Sequence, residues 1–185
     1  MEPFISPTIP LVVDLDHTLI GCDTSLVLAR LHLKTQPLGA LFQLGYWFLI
    51  KGRAYCKNQL VQRYGTDFDM SALPYTALRM EALYCNAPIK ALVSGSEHRL
   101  VARIAQYLGG FSLAKGSTLQ CNLIGEKKAN FLRKQYPQGY DYIGDSMADI
   151  KVWAHARKAY GYNVSKRVIH HAQQAGIKLE IIKAL

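Results

Sequence analysis

The sequence predicts an α/β protein in which a parallel sheet is covered by helices on both faces. Apolar runs rich in β-branched residues alternate with stretches of helical character along much of the 185-residue chain, the pattern of strands joined by crossover helices. Three of those runs end at polar residues, Asp14, Ser94 and Asp145. Ligands bind such sheets at the carboxyl ends of the strands, so three separate segments would converge on one crevice.

The first strand is "TIPLVVDLD", which starts near Pro10 and ends its apolar run at Asp14. "IKALVSGS" is the second, ending at Ser94-Gly95, and "FSLA" the weaker third. "YDYIGD" and "KAYGYNV" supply the fourth and fifth. Helices are expected over Glu97 to Leu108, Gly125 to Tyr136, Ser146 to His155 and Ser165 to Ala175.

The segment from Thr24 to Cys85 breaks this alternation and reads as mostly helical, with a start at Pro37, a stop at Gly65 and a restart at Asp69-Met70-Ser71. It is taken as a helical cap, residues 24–85, inserted into a core made of residues 1–23 and 86–185. Within it, "LGALFQLGYWFLI", Leu38 to Ile50, is the most apolar piece of the protein. It is short of the roughly 20 residues that cross a bilayer, so a core helix is the expectation. Lys51 and Arg53 beside Tyr46 and Trp47 keep peripheral membrane contact as the alternative.

Composition bounds the rest. Half of the residues are hydrophobic, enough for one good core. Lys and Arg number 22 against 13 Asp and Glu, a balance that favours anionic partners. The basic residues come only in short pairs such as Lys127-Lys128 and Lys166-Arg167, so nucleic acid is not an expected partner. Cys22, Cys56, Cys85 and Cys121 lie far apart, form no CxxC pair and read as reduced thiols of a cytoplasmic protein. Glu2, Pro3 and Pro7 argue against a secretory signal. His170 and His171 read as surface residues.

Two carboxylates as close as Asp14 and Asp16 repel each other and lose hydration when buried, so a cation is expected beside them. Asp14 is placed to attack phosphorus and form an aspartyl-phosphate. A turn after it would aim Asp16 at the leaving group, as the acid that protonates it and the base that then activates water. Hard oxygen ligands from Asp14, the backbone carbonyl of Asp16 and Asp145 suit Mg²⁺. Ser94 and Gly95 offer a hydroxyl and amides to phosphate oxygens, helped by the start of the following helix. Lys128 supplies a fixed positive charge, Thr18 supports the first motif, and Asp149 either holds a metal-bound water or braces Lys128. Arg53 and Lys57 share a helical face and are candidates for an anionic substrate, with solvent exposure the expected fate of both.

In their order these residues resemble the haloacid dehalogenase (HAD) superfamily: "DLDHTL" its first motif, "LVSGS" its second, Lys128 in "GEKKANFL" its third, and "GDSMAD" its fourth. The third motif is carried to Lys128, with Lys127 as the alternative. The resemblance covers residues 11 to 163. It implies a Mg²⁺-dependent phosphatase on a Rossmann-like, three-layer sheet of strand order 5-4-1-2-3, with the cap inserted after the first motif. A closer likeness is to the phosphatase-like domain fused ahead of ubiquinone-type (UbiA-like) polyprenyl transferases, carried by "PLVVDLDHTLI", the Leu-rich cap with its Trp, "SALPY" and "DYIGDSMADIKVWAHARKAYGYN".

The function expected is a phosphomonoester hydrolase whose substrate is a small phosphorylated metabolite or a lipid-linked phosphate. The alternative is a non-catalytic or regulatory module that binds a phosphorylated ligand or nucleic acid.

Overall fold

A computed structural model describes residues 9–182, save the side chains at positions 80, 82 and 83. Glu2, Pro3 and Pro7 therefore lie outside the described residues. Among those residues six parallel strands form one sheet: β1 (Leu11–Val13), β2 (Lys90–Glu97), β3 (Leu113–Ser117), β4 (Asp141–Gly144), β5 (Lys158–Tyr162) and β6 (Leu179–Ile182). Their order is β3-β2-β1-β4-β5-β6. This is the expected 5-4-1-2-3 order read from the other edge, with a sixth strand added outside β5. Register is continuous across the centre, where Val12 pairs with Ala91 on one side and Tyr142 on the other.

Successive strand residues face opposite sides, so β1 feeds two cores. Val12 packs with Val93, Ala129, Leu132, Tyr142 and Trp153 on one face. Leu11 and Val13 pack on the other with Leu92, Val101, Ile104 and Ile143, and that cluster continues to Leu28 and Leu60. Each fully buried aliphatic side chain contributes roughly 1.5–3 kcal/mol, which fixes β1 at the centre of a sheet covered on both faces.

The helices of the sheet region are α5 (His98–Leu108), α6 (Glu126–Gln135), α7 (Ile150–Trp153) and α8 (Lys166–Gln174); ahead of them the chain forms α1 (Thr24–Thr35), α2 (Pro37–Gly45), α3 (Arg53–Tyr64) and α4 (Ala82–Cys85). Local chemistry sets their ends. Asp23 caps α1 by accepting the Ser25 and Leu26 amides, Pro37 opens α2, and Gly65 closes α3. A π-helical turn, Tyr46–Ile50, follows α2. The restart at Asp69 is one 3-10 turn, Met70–Ala72, capped by the Asp69 side chain.

Several expectations are corrected. The first strand is shorter than "TIPLVVDLD", and β3 runs on to Ser117 beyond "FSLA". β2 runs on to Glu97, which caps α5 through the Arg99 and Leu100 amides, so Ser94 and Gly95 sit inside the strand and do not start the helix. The stretch Ser146 to His155 is a 3-10 turn followed by the short α7. The largest correction concerns Leu38 to Ile50: only Ala40 and Trp47 are buried there, and most of its large apolar side chains face out. The sheet's two cores are already filled without them. Among the described residues no helix is long and apolar enough to cross a membrane.

Candidate active site

β1 delivers Asp14 to the carboxyl edge of the sheet, where its amide still bonds the Ile143 carbonyl of β4 at 3.0 Å. The chain then leaves the sheet in a tight turn: the amides of Leu19 and Ile20 both reach the Leu15 carbonyl, and His17 takes a left-handed φ of +58°. The turn carries Asp16 away from Asp14. Asp16 Oδ1 accepts the Thr24 amide at 2.9 Å, and its other oxygen accepts the Ser96 hydroxyl of β2. Thr24 and Ser96 also meet through their hydroxyls at 2.6 Å.

Lys128, on the first turns of α6, is the hub of the other half. Its ammonium donates to Asp14 Oδ2 at 2.7 Å and to the Tyr142 hydroxyl at 2.9 Å, and lies 3.5 Å from Asp149. Lys127 is exposed, so Lys128 is the lysine that faces Asp14. Tyr142 in turn donates to Asp149 Oδ1 at 2.6 Å, while the Ser146 amide and hydroxyl occupy Oδ2. Gly144 is required here, since a Cβ would stand 2.7 Å from Asp149 Cγ. With both oxygens engaged by the protein, Asp149 is arranged as a brace for Lys128.

Asp145 is the less compensated member. Its contact from Thr18 is a hydroxyl at 3.4 Å. Burial, reinforced by the charges of Asp14 and Asp149, pushes its carboxyl up to about 8. Burial likewise raises Asp14 to about 6, although Lys128 pulls the other way. Burial alone would raise Asp149, but Lys128 and the Tyr142 and Ser146 hydrogen bonds outweigh it and hold the carboxyl below its ordinary value. Asp16 is raised by burial, with Ser96 and Thr24 limiting the rise.

Oxygens of Asp14, Asp145 and Asp149 lie within 4.8 Å of one another. Lys128 pairs with Asp14 and Asp149 and leaves Asp145 without an ion-pair partner among the described residues, and the donor set is all oxygen, so the residues present fit a hard divalent cation such as Mg²⁺.

Ser94 is buried at the end of the second strand's apolar run, its Oγ accepting the Ser96 amide at 3.1 Å. The α5 terminus does not assist it as expected, because Glu97 takes the first amides of that helix. The Gly95 carbonyl accepts Lys57 Nζ at 2.6 Å and the Ser117 hydroxyl at 2.8 Å. A Cβ on Gly95 would lie 2.5 Å from Ile124 Cγ2. Lys57 is therefore not the solvent-exposed residue expected from its helical face; α3 carries it to the strand ends, and burial pulls its ammonium below the ordinary value. Arg53 does remain exposed, its guanidinium 5.3 Å from the Phe48 ring.

Sequence reasoning thus names Asp14, Asp16, Thr18, Ser94, Gly95, Lys128, Asp145 and Asp149, and the fold brings them to one edge of the sheet. It misses Thr24, Ser96 and Tyr142. The period-2 alternation of "YDYIGD" puts Tyr142 on the same side of β4 as Gly144, but nothing in the sequence reveals that α6 crosses that side.

No family model matches the chain. It is 29% identical over 180 residues to the uncharacterised protein y4nM of Sinorhizobium fredii, an alignment covering 94% of this chain and 34% of that protein. The chain thus spans about a third of the length of the curated relative it matches. Among solved structures it superposes on a protein of unknown function from Bordetella pertussis Tohama I, at TM-score 0.68 and 16% identity over 96% of this chain and 100% of that one. A HAD family hydrolase from Salmonella enterica serovar Typhi gives TM-score 0.65 and 12% identity over 96% and 68%. A phosphoserine phosphatase, solved as an analogue of its phospho-aspartyl intermediate, gives 0.60 and 16% over 96% and 94%. The fold is therefore the α/β fold of HAD hydrolases and phosphoserine phosphatases.

Proposed function

We propose that the chain is a Mg²⁺-dependent phosphomonoester hydrolase of the HAD superfamily, acting through an aspartyl-phosphate on Asp14. The observation that carries this reading is the meeting of Asp14, Asp145 and Asp149 around Lys128 at the carboxyl ends of β1 and β4. Phosphoryl transfer needs charge neutralisation and positioning above all, and this group supplies the positioning and the oxygen ligands for a neutralising cation.

In this reading Asp14 attacks phosphorus, an acyl-phosphate bond forms, and the bond from phosphorus to the leaving oxygen breaks. Asp16 gives that oxygen its proton, a role favoured by the burial that raises its carboxyl. The resulting Asp16 carboxylate then takes a proton from water, which attacks the acyl-phosphate, frees phosphate and restores Asp14. Lys128 holds Asp14 in place, with Tyr142 and Asp149 fixing the lysine. Ser94 and Gly95, near the end of β2, supply donors for the phosphate oxygens. Mg²⁺, held by Asp14, Asp145 and the Asp16 backbone carbonyl, would neutralise charge on the phosphoryl group.

The division into a core of residues 1–23 and 86–185 and a cap of residues 24–85 belongs to the same reading, supported by the hydrogen bonds that Thr24 and Lys57 send to the strand ends. So does the likeness to the domain fused ahead of polyprenyl transferases, which rests on the stretches quoted above.

The test is phosphate release from a panel of sugar, amino-acid and prenyl-linked phosphomonoesters, with Mg²⁺ and with EDTA, for wild type and Asp14→Asn. Metal-dependent turnover that vanishes in the variant is expected. Turnover surviving in folded Asp14→Asn would sink the aspartyl-phosphate mechanism.

A further inference from the structure

The helical segment carries two apolar surfaces that phosphoryl transfer itself does not use. The inner one walls a cavity of about 500 Å³ formed by Leu26, Ala29, Leu44, Phe48, Leu60 and Ile124. This cavity adjoins the end of β2 that the phosphatase reading gives to phosphate: Ile124 packs directly against Gly95, and Lys57, also in the wall, bonds the Gly95 carbonyl. Arg53 and Lys57 in the lining face a single carboxylate, Asp23. A densely polar leaving group would lose hydration there with few partners, whereas an apolar one gains about 25 cal/mol for each Å² removed from water.

The outer surface lies on the same element. Leu38, Leu41, Phe42, Leu49 and Ile50, from α2 and the π-helical turn, are 92, 68, 81, 77 and 70% exposed. So many large apolar side chains exposed in one short stretch mark a contact surface. The charge around them names the partner. From residue 24 to residue 66 the chain holds Arg30, Lys34, Lys51, Arg53, Lys57 and Arg63 and neither Asp nor Glu. Lys51 sits 5.8 Å from the Tyr46 ring, so a cation and an amphipathic aromatic flank the apolar residues. A second copy of the chain would set like charges against each other, whereas an anionic bilayer offers apolar depth and opposite charge together.

We infer that the outer face of α2 and the π-helical turn docks on an anionic membrane surface, and that the cavity behind it takes the apolar leaving group of a phosphomonoester drawn from that surface. The second half rests on the phosphatase reading; the docking half does not.

The full chain is floated with vesicles of phosphatidylcholine alone and of phosphatidylcholine with an equal part of phosphatidylglycerol. Binding to the anionic vesicles that weakens with salt is expected, and Leu41→Glu/Phe42→Glu, which lines no part of the cavity, abolishes it while leaving turnover of soluble p-nitrophenyl phosphate unchanged. Wild type that binds neither vesicle, or a double variant that binds like wild type, overturns the docking. A wild-type dimer without vesicles that the same variant breaks assigns the face to a second copy and overturns it too.

For the cavity, kcat/KM on soluble alkyl phosphates is measured against chain length. It should rise roughly fourfold per methylene over the first several, and the rise should flatten in Leu44→Asp. A flat series with p-nitrophenyl phosphate still hydrolysed removes the apolar leaving group and leaves the phosphatase standing. If no phosphomonoester is hydrolysed, the phosphatase reading and the leaving-group half fall together, while flotation still decides the docking.

Discussion

The Lys128 ammonium lies 2.7 Å from the Asp14 carboxylate, and the lysine side chain is only 3% exposed. Burial works against its charge, yet Asp14 and Asp149 outweigh burial and raise its proton affinity. Lys128→Met would leave Asp14 and Asp149 without their shared cation. We expect loss of phosphate release and a fall in unfolding free energy of about 3–5 kcal/mol, read by denaturant titration. Unchanged stability would mean that the carboxylates do not depend on the lysine.

Tyr142 is the piece that joins Lys128 to Asp149, accepting from one and donating to the other. Tyr142→Phe keeps the ring in its core and removes only the hydroxyl. The expected cost is about 1–3 kcal/mol of stability, with kcat reduced and KM nearly unchanged. A change confined to KM would make Tyr142 a substrate contact instead.

Gly95 has no room for a side chain against Ile124. Gly95→Ala should cost about 1–3 kcal/mol through the clash and lower turnover by displacing the end of β2 that carries Ser94. Ile124→Ala in the same chain should recover most of both, and a double-mutant cycle measures the coupling. Additive effects would show that the close approach is not what Gly95 provides.

His32 is buried with both ring nitrogens engaged, by the Tyr64 hydroxyl at 2.8 Å and by Gln43 Oε1 at 3.0 Å. Burial, aided by Arg63, lowers its proton affinity from the ordinary 6.5. A histidine depressed in the folded state contributes stability that is present above about 6.5 and lost as pH falls, because the unfolded chain protonates first. Melting temperature should therefore drop more steeply below pH 6.5 in wild type than in His32→Gln. Parallel pH profiles would count against this.

Much of the site was legible because its residues sit at the ends of strands that announce themselves. Asp14, Ser94 and Asp145 each follow an apolar run, and the turn after Asp14 is short enough to fix Asp16. What escaped depends on contacts between distant segments. Ser96 and Thr24 are 72 positions apart and meet only because α1 begins over the end of β2. Lys57 reads as a surface lysine on its own helix and becomes half-buried only where α3 reaches Gly95. β6 escapes because its apolar-polar alternation, Ile177 to Ile181, is too brief to stand out, and its residues are half-buried or exposed at the sheet's edge. The apolar stretch from Leu38 to Ile50 misled for the opposite reason: hydrophobicity reports the wish to leave water, not where the chain satisfies it.

The bond from the Thr24 amide to Asp16 ties the first residue of α1 to a carboxylate beside the strand ends. That bond, with those of the Ser96 and Thr24 side chains, restrains the Asp16 proton affinity. Burial is nevertheless the largest influence on Asp16, and it raises the proton affinity that this bond holds down. The start of α1 thus belongs to the setting of this carboxylate, so a change at Thr24 is felt at Asp16 as well as in the helix.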